Sequence, residues 1–134
     1  MKKIILDTNF LLIPFQFNVD IFEELDKLIA DKLELCIVDK TFYELQNIMQ
    51  KNEASFKDRS AAKMADKLIR SKIDSGKVVV LKTEKNLNVD QLILNLLKQG
   101  EFIVATQDKA LKQKISLLKA RLVVLRQKRY LELV

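Results

Sequence analysis

Short runs of apolar or β-branched residues recur along this chain at 3–6, 34–38, 77–81, 102–105 and 122–125. Between them apolar residues return at threes and fours, the spacing that lines one face of a helix. Short all-apolar strands alternating with helices are the pattern of a parallel sheet covered on both faces. The pattern predicts a single α/β domain over 1–134: a central parallel sheet of about five strands, sandwiched in three α/β/α layers.

The helical segments have recognisable limits. In 10–30, Phe10, Leu11, Ile21, Phe22, Leu25, Leu28 and Ile29 keep helical spacing. Pro14 and Asn18 are expected to split this stretch into two short helices, with Asn18 or Asp20 near the second start. Segment 39–51 sets Phe42, Leu45, Ile48 and Met49 on one face. Segment 55–74 does so with Ala61, Met64, Ala65 and Leu68, opened by Ser55 and closed before Gly76. Segment 89–99 carries Leu92, Ile93, Leu96 and Leu97, with Gly100 as C-cap. Segment 107–118 carries Ala110, Leu111, Ile115 and Leu118, with Thr106 as N-cap.

Composition narrows the class. The 134 residues are 49% hydrophobic, enough for a real core, and two glycines and one proline leave little room for linkers. No apolar stretch approaches the ~20 residues of a membrane helix, and Lys2-Lys3-Ile4-Ile5-Leu6 is too short for a signal segment. The single cysteine, Cys36, reads as a buried small hydrophobe, and reduced cytoplasm is the expected compartment. The net charge is +6. Residues 109–134 hold eight basic residues against one acid, Glu132, so the whole excess lies there and 1–108 is slightly acidic. Such an end favours a polyanionic partner through counterion release, though a solvated surface explains the charge equally well.

Four acids then stand out by position. Asp7, Glu44, Asp90 and Asp108 each come at the end of an apolar run or early in the segment after it. Taken singly, each has an ordinary structural account: Asp7 as a turn residue or cap, Glu44 as a surface partner of Lys40, Asp90 and Asp108 as acids in helix first turns. Taken together, they fall at the carboxyl ends of parallel strands, the edge where open α/β folds bind ligands. Carboxylates gathered there repel unless a cation lies between them. The absence of histidine and the lone cysteine argue against zinc, and an all-oxygen set suits Mg²⁺ or Mn²⁺. Phosphodiester hydrolysis beside a basic surface is the reaction such a centre serves.

The local motifs Leu6-Asp7-Thr8-Asn9, Glu44-Leu45, Asn88-Val89-Asp90 and Val104-Ala105-Thr106-Gln107-Asp108 occur in order across essentially the whole chain. Together they resemble a PIN-domain ribonuclease, and the Leu11-Leu12-Ile13-Pro14 stretch and the ending Leu125-Arg126-Gln127-Lys128-Arg129-Tyr130-Leu131 are most similar to archaeal members, described as VapC-type toxins or relatives of rRNA-processing nucleases. The resemblance implies an endonuclease using Mg²⁺ or Mn²⁺ on single-stranded or loop RNA and leaving a 3′-hydroxyl and a 5′-phosphate. It also implies a homodimer and either an antitoxin partner or a ribosomal RNA precursor. It matches Asp7, Glu44, Asp90 and Asp108 to the family's metal-binding acids and Asn9 and Thr106 to support; within that set Asp7, Asp90 and Asp108 are expected to hold the metal and Glu44 to orient or deprotonate the attacking water. Gln107 stands where the family usually has Asn, and Gln91 where a second acid is common, which leaves one ligand fewer.

Contacts to RNA are expected from Lys109, Lys112, Arg126, Lys128 and Arg129. A second candidate set is the 55–74 helix, with Lys57, Arg59, Lys63, Lys67, Arg70 and Lys72. Tyr43, Phe15 and Phe17 are candidates to stack on bases, or else core and dimer contacts. Two rival classes remain. One is an RNA-binding or scaffold module with weak catalysis, which metal-dependent RNA cleavage would separate. The other is a phosphoryl-transfer domain, disfavoured because the second position past Asp7 is Asn9 and only Lys82 stands near a suitable strand end.

Overall fold

The computed structural model describes residues 1–84 and 86–134. Its strands are β1 (Lys2–Leu6), β2 (Leu33–Val38), β3 (Val78–Leu81), β4 (Ile103–Ala105), β5 (Arg121–Arg126) and β6 (Tyr130–Leu133). They form one sheet in the order β3-β2-β1-β4-β5-β6, parallel from β3 to β5 and antiparallel at β6. The helices are α1 (Ile13–Phe17), α2 (Ile21–Leu28), α3 (Thr41–Gln50), α4 (Phe56–Asp74), α5 (Val89–Gln99) and α6 (Lys109–Leu117), with a 3₁₀ turn at Thr8–Leu12.

Strand alternation sorts the helices into two layers. Ile4, Leu6, Leu35, Ile37, Ile103 and Ala105 face a core built with α1 to α4, while Ile5, Val38, Val104, Leu122 and Val124 face α5 and α6. Both faces of the central strands are therefore covered, which is why their sequences are apolar throughout. Leu45 of α3 and Ile93 of α5 are fully buried and fasten their helices to opposite faces. Truncating either to Ala would cost ~2–5 kcal/mol. Cys36 is buried, as expected for a small hydrophobe.

Two local details differ from the sequence expectation. Pro14 does not divide the 10–30 stretch; it sits in the first turn of α1, where a missing N–H costs nothing. The break falls at Asn18, a left-handed C-cap, and α2 then starts at Asp20, whose Oδ1 accepts from the Phe22 and Glu23 amides at 3.1 Å each. On α4, Met64 is exposed, and the buried stripe is Ala61, Ala62, Ala65 and Ile69. Ser55 does cap α4, accepting from Asp58 N at 3.0 Å, and Gly76 takes φ +80 just past its end.

The sixth strand is the main addition to the expected sheet. Gln127 and Lys128 both adopt positive φ in a two-residue turn closed by Arg129 N donating to Arg126 O at 3.0 Å. Such turns usually carry Asn-Gly or Gly, so Gln-Lys gave no signal. No helix among the described residues is long and apolar enough to cross a membrane.

Candidate active site

The chain leaves β1 toward β2 on one side and returns through β4 on the other, so the strand order reverses beside β1. Folds of this kind bind ligands in the crevice outside the carboxyl ends at that point. Asp7 directly follows β1, Asp108 follows β4, Glu44 lies one turn into α3 and Asp90 in the first turn of α5. All four line one cleft of about 260 Å³ together with Thr8 and Asn9.

Asp7 is the most constrained of them, at 4% exposure. Its backbone N–H donates to Ala105 O at 2.9 Å, locking the end of β1 against β4. Its Oδ1 caps the 3₁₀ turn by accepting from Thr8 N at 2.9 Å, and its Oδ2 accepts from the Thr106 hydroxyl at 2.6 Å. Burial pushes the Asp7 carboxyl up to about 6; the Thr106 and Thr8 hydrogen bonds oppose this, and the charges of Asp90 and Glu44 add to it.

Thr106 is fully buried beneath Asp7 and works between two acids. It donates to Asp7 and accepts from the Asp108 amide at 3.1 Å. It is not the N-cap of α6: Asp108 takes that place, its Oδ1 accepting from Leu111 N at 3.1 Å. Asn9 closes the same loop from the β1 side. Its Oδ1 accepts from Gln107 N at 3.1 Å, while its backbone carbonyl accepts from Gln107 Nε2 at 3.1 Å. The longer amide of Gln107 thus still reaches a partner.

Glu44 is not a surface partner of Lys40. Its Oε1 accepts from the Thr8 hydroxyl, and Lys40 Nζ instead donates to the Leu87 carbonyl. Burial raises the Glu44 carboxyl, the Thr8 bond opposes this, and Asp90 adds to it. Asp90 is raised by burial and then by Asp108, with Lys114 opposing. Asp39, which gave no signal in the sequence, ties down the segment just after β3. Its carboxylate accepts from the Thr83 hydroxyl at 2.5 Å and the Thr83 amide at 3.3 Å. Burial pushes Asp39 up, yet these hydrogen bonds prevail and hold it below the usual carboxylate value. Gln91 completes a capping box with Asn88, donor and acceptor distances being 2.8 and 3.0 Å. That side chain is spent on starting the helix that carries Asp90.

The donor set is all oxygen, and among the described residues none of the four acids is ion-paired. A hard cation fits that chemistry. As the side chains stand, no three Asp, Glu or Cys groups among the described residues close around one ion position. A cation there would be shared by fewer carboxylates, with water completing its shell, which is common for Mg²⁺. Three further lining residues, Asn47, Ile48 and Lys51, were missed from the sequence. The available signal was spacing: Glu44, Asn47, Ile48 and Lys51 stand at i, i+3, i+4 and i+7 of one helical stripe.

The basic candidates divide. Burial, then the charges of Arg126 and Lys109, hold the Lys112 ammonium below its ordinary value, with Asp108 opposing them. Arg126 also pairs with Glu132 at 3.3 Å. Lys128 lies 5.7 Å above the Phe17 ring, and Arg129 sits exposed in the hairpin turn. On α4, Arg70 pairs with Asp66 at 3.0 Å and stacks 4.4 Å from Phe42, and Lys72 lies 4.7 Å from Phe22. Phe15 and Phe17 pack against the core, whereas Tyr43 is 68% exposed.

Residues 4–128 match the family model described as a PIN-like domain. The chain belongs to this family. As a PIN domain it is 33% identical to Ribonuclease VapC4 of Methanocaldococcus jannaschii over 134 residues, covering 99% of this chain and 97% of that protein. The solved PIN domain endonuclease Utp24 matches with a TM-score of 0.74 and 25% identity, over 98% of this chain and 90% of that one. A domain of a functionally unknown protein from Methanocaldococcus jannaschii matches at TM-score 0.62 and 15% identity, over 94% and 92% of the two chains. That last likeness speaks for the PIN fold alone.

Proposed function

We propose that this PIN domain is an endoribonuclease that hydrolyses phosphodiester bonds of single-stranded or loop RNA with Mg²⁺ or Mn²⁺. The observation that carries the reading is the convergence of Asp7, Glu44, Asp90 and Asp108 on one cleft, with no cation among the described residues paired to any of them. The similarity to a protein named ribonuclease and to a PIN endonuclease supports the same reading.

Asp7 and Asp108 would hold the cation directly, and Asp90 would complete its shell through water. When bound, it supplies positive charge against the charge developing on the phosphoryl oxygens. The rest falls to the chain. Thr106 fixes the rotamer of Asp7 and the loop of Asp108 at once. Glu44, held through Oε1 by Thr8, is left with Oε2 to orient the attacking water and take its proton. Attack in line on phosphorus leaves a 3′-hydroxyl and a 5′-phosphate. Lys109, Lys112 and Arg126 hold the RNA backbone beside the acids, with Lys128 and Arg129 further along the hairpin.

The biological role is either that of a toxin-type ribonuclease, with an antitoxin partner and a homodimeric state, or that of a nuclease maturing a ribosomal RNA precursor. A gene for a small acidic or amphipathic protein immediately upstream would favour the first, and its absence the second. The activity itself is tested by incubating a mixed pool of single-stranded RNA with the protein, with and without Mn²⁺. Wild type is expected to cut only with the metal and Asp7→Asn not at all. Full activity in Asp7→Asn would sink the assignment.

A further inference from the structure

The same turn of α3 that brings Glu44 to the cleft continues along its wall. Asn47, Ile48 and Lys51 follow at helical spacing and line the cleft with the four acids. Lys51 is the one cationic side chain in that lining, and among the described residues it is ion-paired to nothing. A lysine that avoids four neighbouring carboxylates while sharing their cleft is placed to meet an anion entering from outside. Glu44 and Lys51 are separated by about 10 Å along the helix axis, seven residues at the helical rise. One phosphate group does not span that distance. We infer that Lys51 is a positioning residue that binds the phosphate flanking the scissile one, with the Asn47 amide beside it on the same nucleotide. The inference rests on the nuclease reading for the word scissile, but not for the contact itself.

The ordinary role for a lysine here is to favour the C-terminal end of α3 through the helix dipole. That role affects helix stability and leaves RNA affinity alone. Binding of a short labelled single-stranded RNA is therefore measured by fluorescence anisotropy in EDTA, where no cleavage occurs. Lys51→Met is expected to weaken binding roughly ten-fold, the size of one charge-assisted hydrogen bond. Its salt dependence is expected to flatten by about 0.7 in log–log slope, one phosphate contact fewer on a single strand. Lys51→Arg should restore both. Lys32→Met, exposed at the amino end of β2 and so at the opposite end of the sheet from the cleft, should change neither. With Mn²⁺ present, Lys51→Met is expected to raise KM and leave kcat nearly unchanged. Unchanged affinity and slope in Lys51→Met, an equal loss in Lys32→Met, or no RNA binding by the wild type in EDTA each overturns the inference. A protein that binds RNA through Lys51 yet never cuts would remove the nuclease reading and leave the phosphate contact standing.

Discussion

Asp7 bears its charge where the folded chain disfavours it. A carboxyl of this kind titrates at 3.8 when unfolded and at about 6 in the cleft. Between those values the folded state keeps a proton that the unfolded chain has already lost. Stability therefore falls as pH rises through that window, and the cost stays at its full size above it, roughly 3 kcal/mol. The raised carboxyls of Glu44 and Asp90 act with the same sign. In EDTA at neutral pH, Asp7→Asn is thus expected to melt at a higher temperature than wild type. The advantage should fade as pH drops toward the unfolded value. Thermal melts across that range check it, and identical curves at every pH would refute it. Part of the gain is lost because a neutral amide accepts less strongly from Thr106.

At the level of elements, two helices begin on similar caps and serve different ends. Ser55 caps α4 and Asn88 caps α5, so replacing either with Ala is expected to cost ~1 kcal/mol by urea unfolding. Only Asn88→Ala should also slow cleavage, because the turn it fixes carries Asp90. Equal rates in the two variants would separate Asp90 from its cap. Much of this architecture was legible beforehand: apolar runs mark β1 to β5, and helical spacing marks α3, α5 and α6. What escaped is informative. Local spacing makes Thr106 a cap, because its neighbours look like a helix start, whereas its hydroxyl partner is Asp7, 99 residues away; only the resemblance pointed it toward the acids. Glu44 was matched to Lys40 by local spacing, whereas Thr8 holds it across 36 residues. Local rules cannot see such partners. Met64 failed for another reason: Ala62 and Ile69 offered the same period one step round the helix, and those two are buried.

For the whole molecule the sheet has two open edges with different protection. At β3 the exposed Val79 row is only four residues long, Val78–Leu81, with Lys77 and Lys82 at its ends. Charges beside a short edge discourage strand-to-strand association. At the other edge β6 covers β5: Leu122 and Val134 exchange backbone hydrogen bonds at 3.0 and 2.8 Å, and Leu131 is buried. Deleting residues 128–134 bares β5, whose sequence is apolar. The truncated chain is expected to unfold at lower temperature and to associate as its concentration rises, seen by light scattering. If it stays monodisperse and equally stable, the hairpin is dispensable to the fold.

Asn9 offers no carboxylate, yet it governs how the cleft meets a substrate. By holding Gln107 at both its backbone and its side chain, it joins the loop after β1 to the loop after β4. Asp7 and Asp108 cannot drift apart without breaking that joint. The entropy of bringing two distant stretches of chain together is lost once, during folding, and is not lost again when an RNA strand arrives. This half of the cleft is ready before binding, and on the facing wall the Thr8 hydroxyl likewise holds Glu44 of α3 in place.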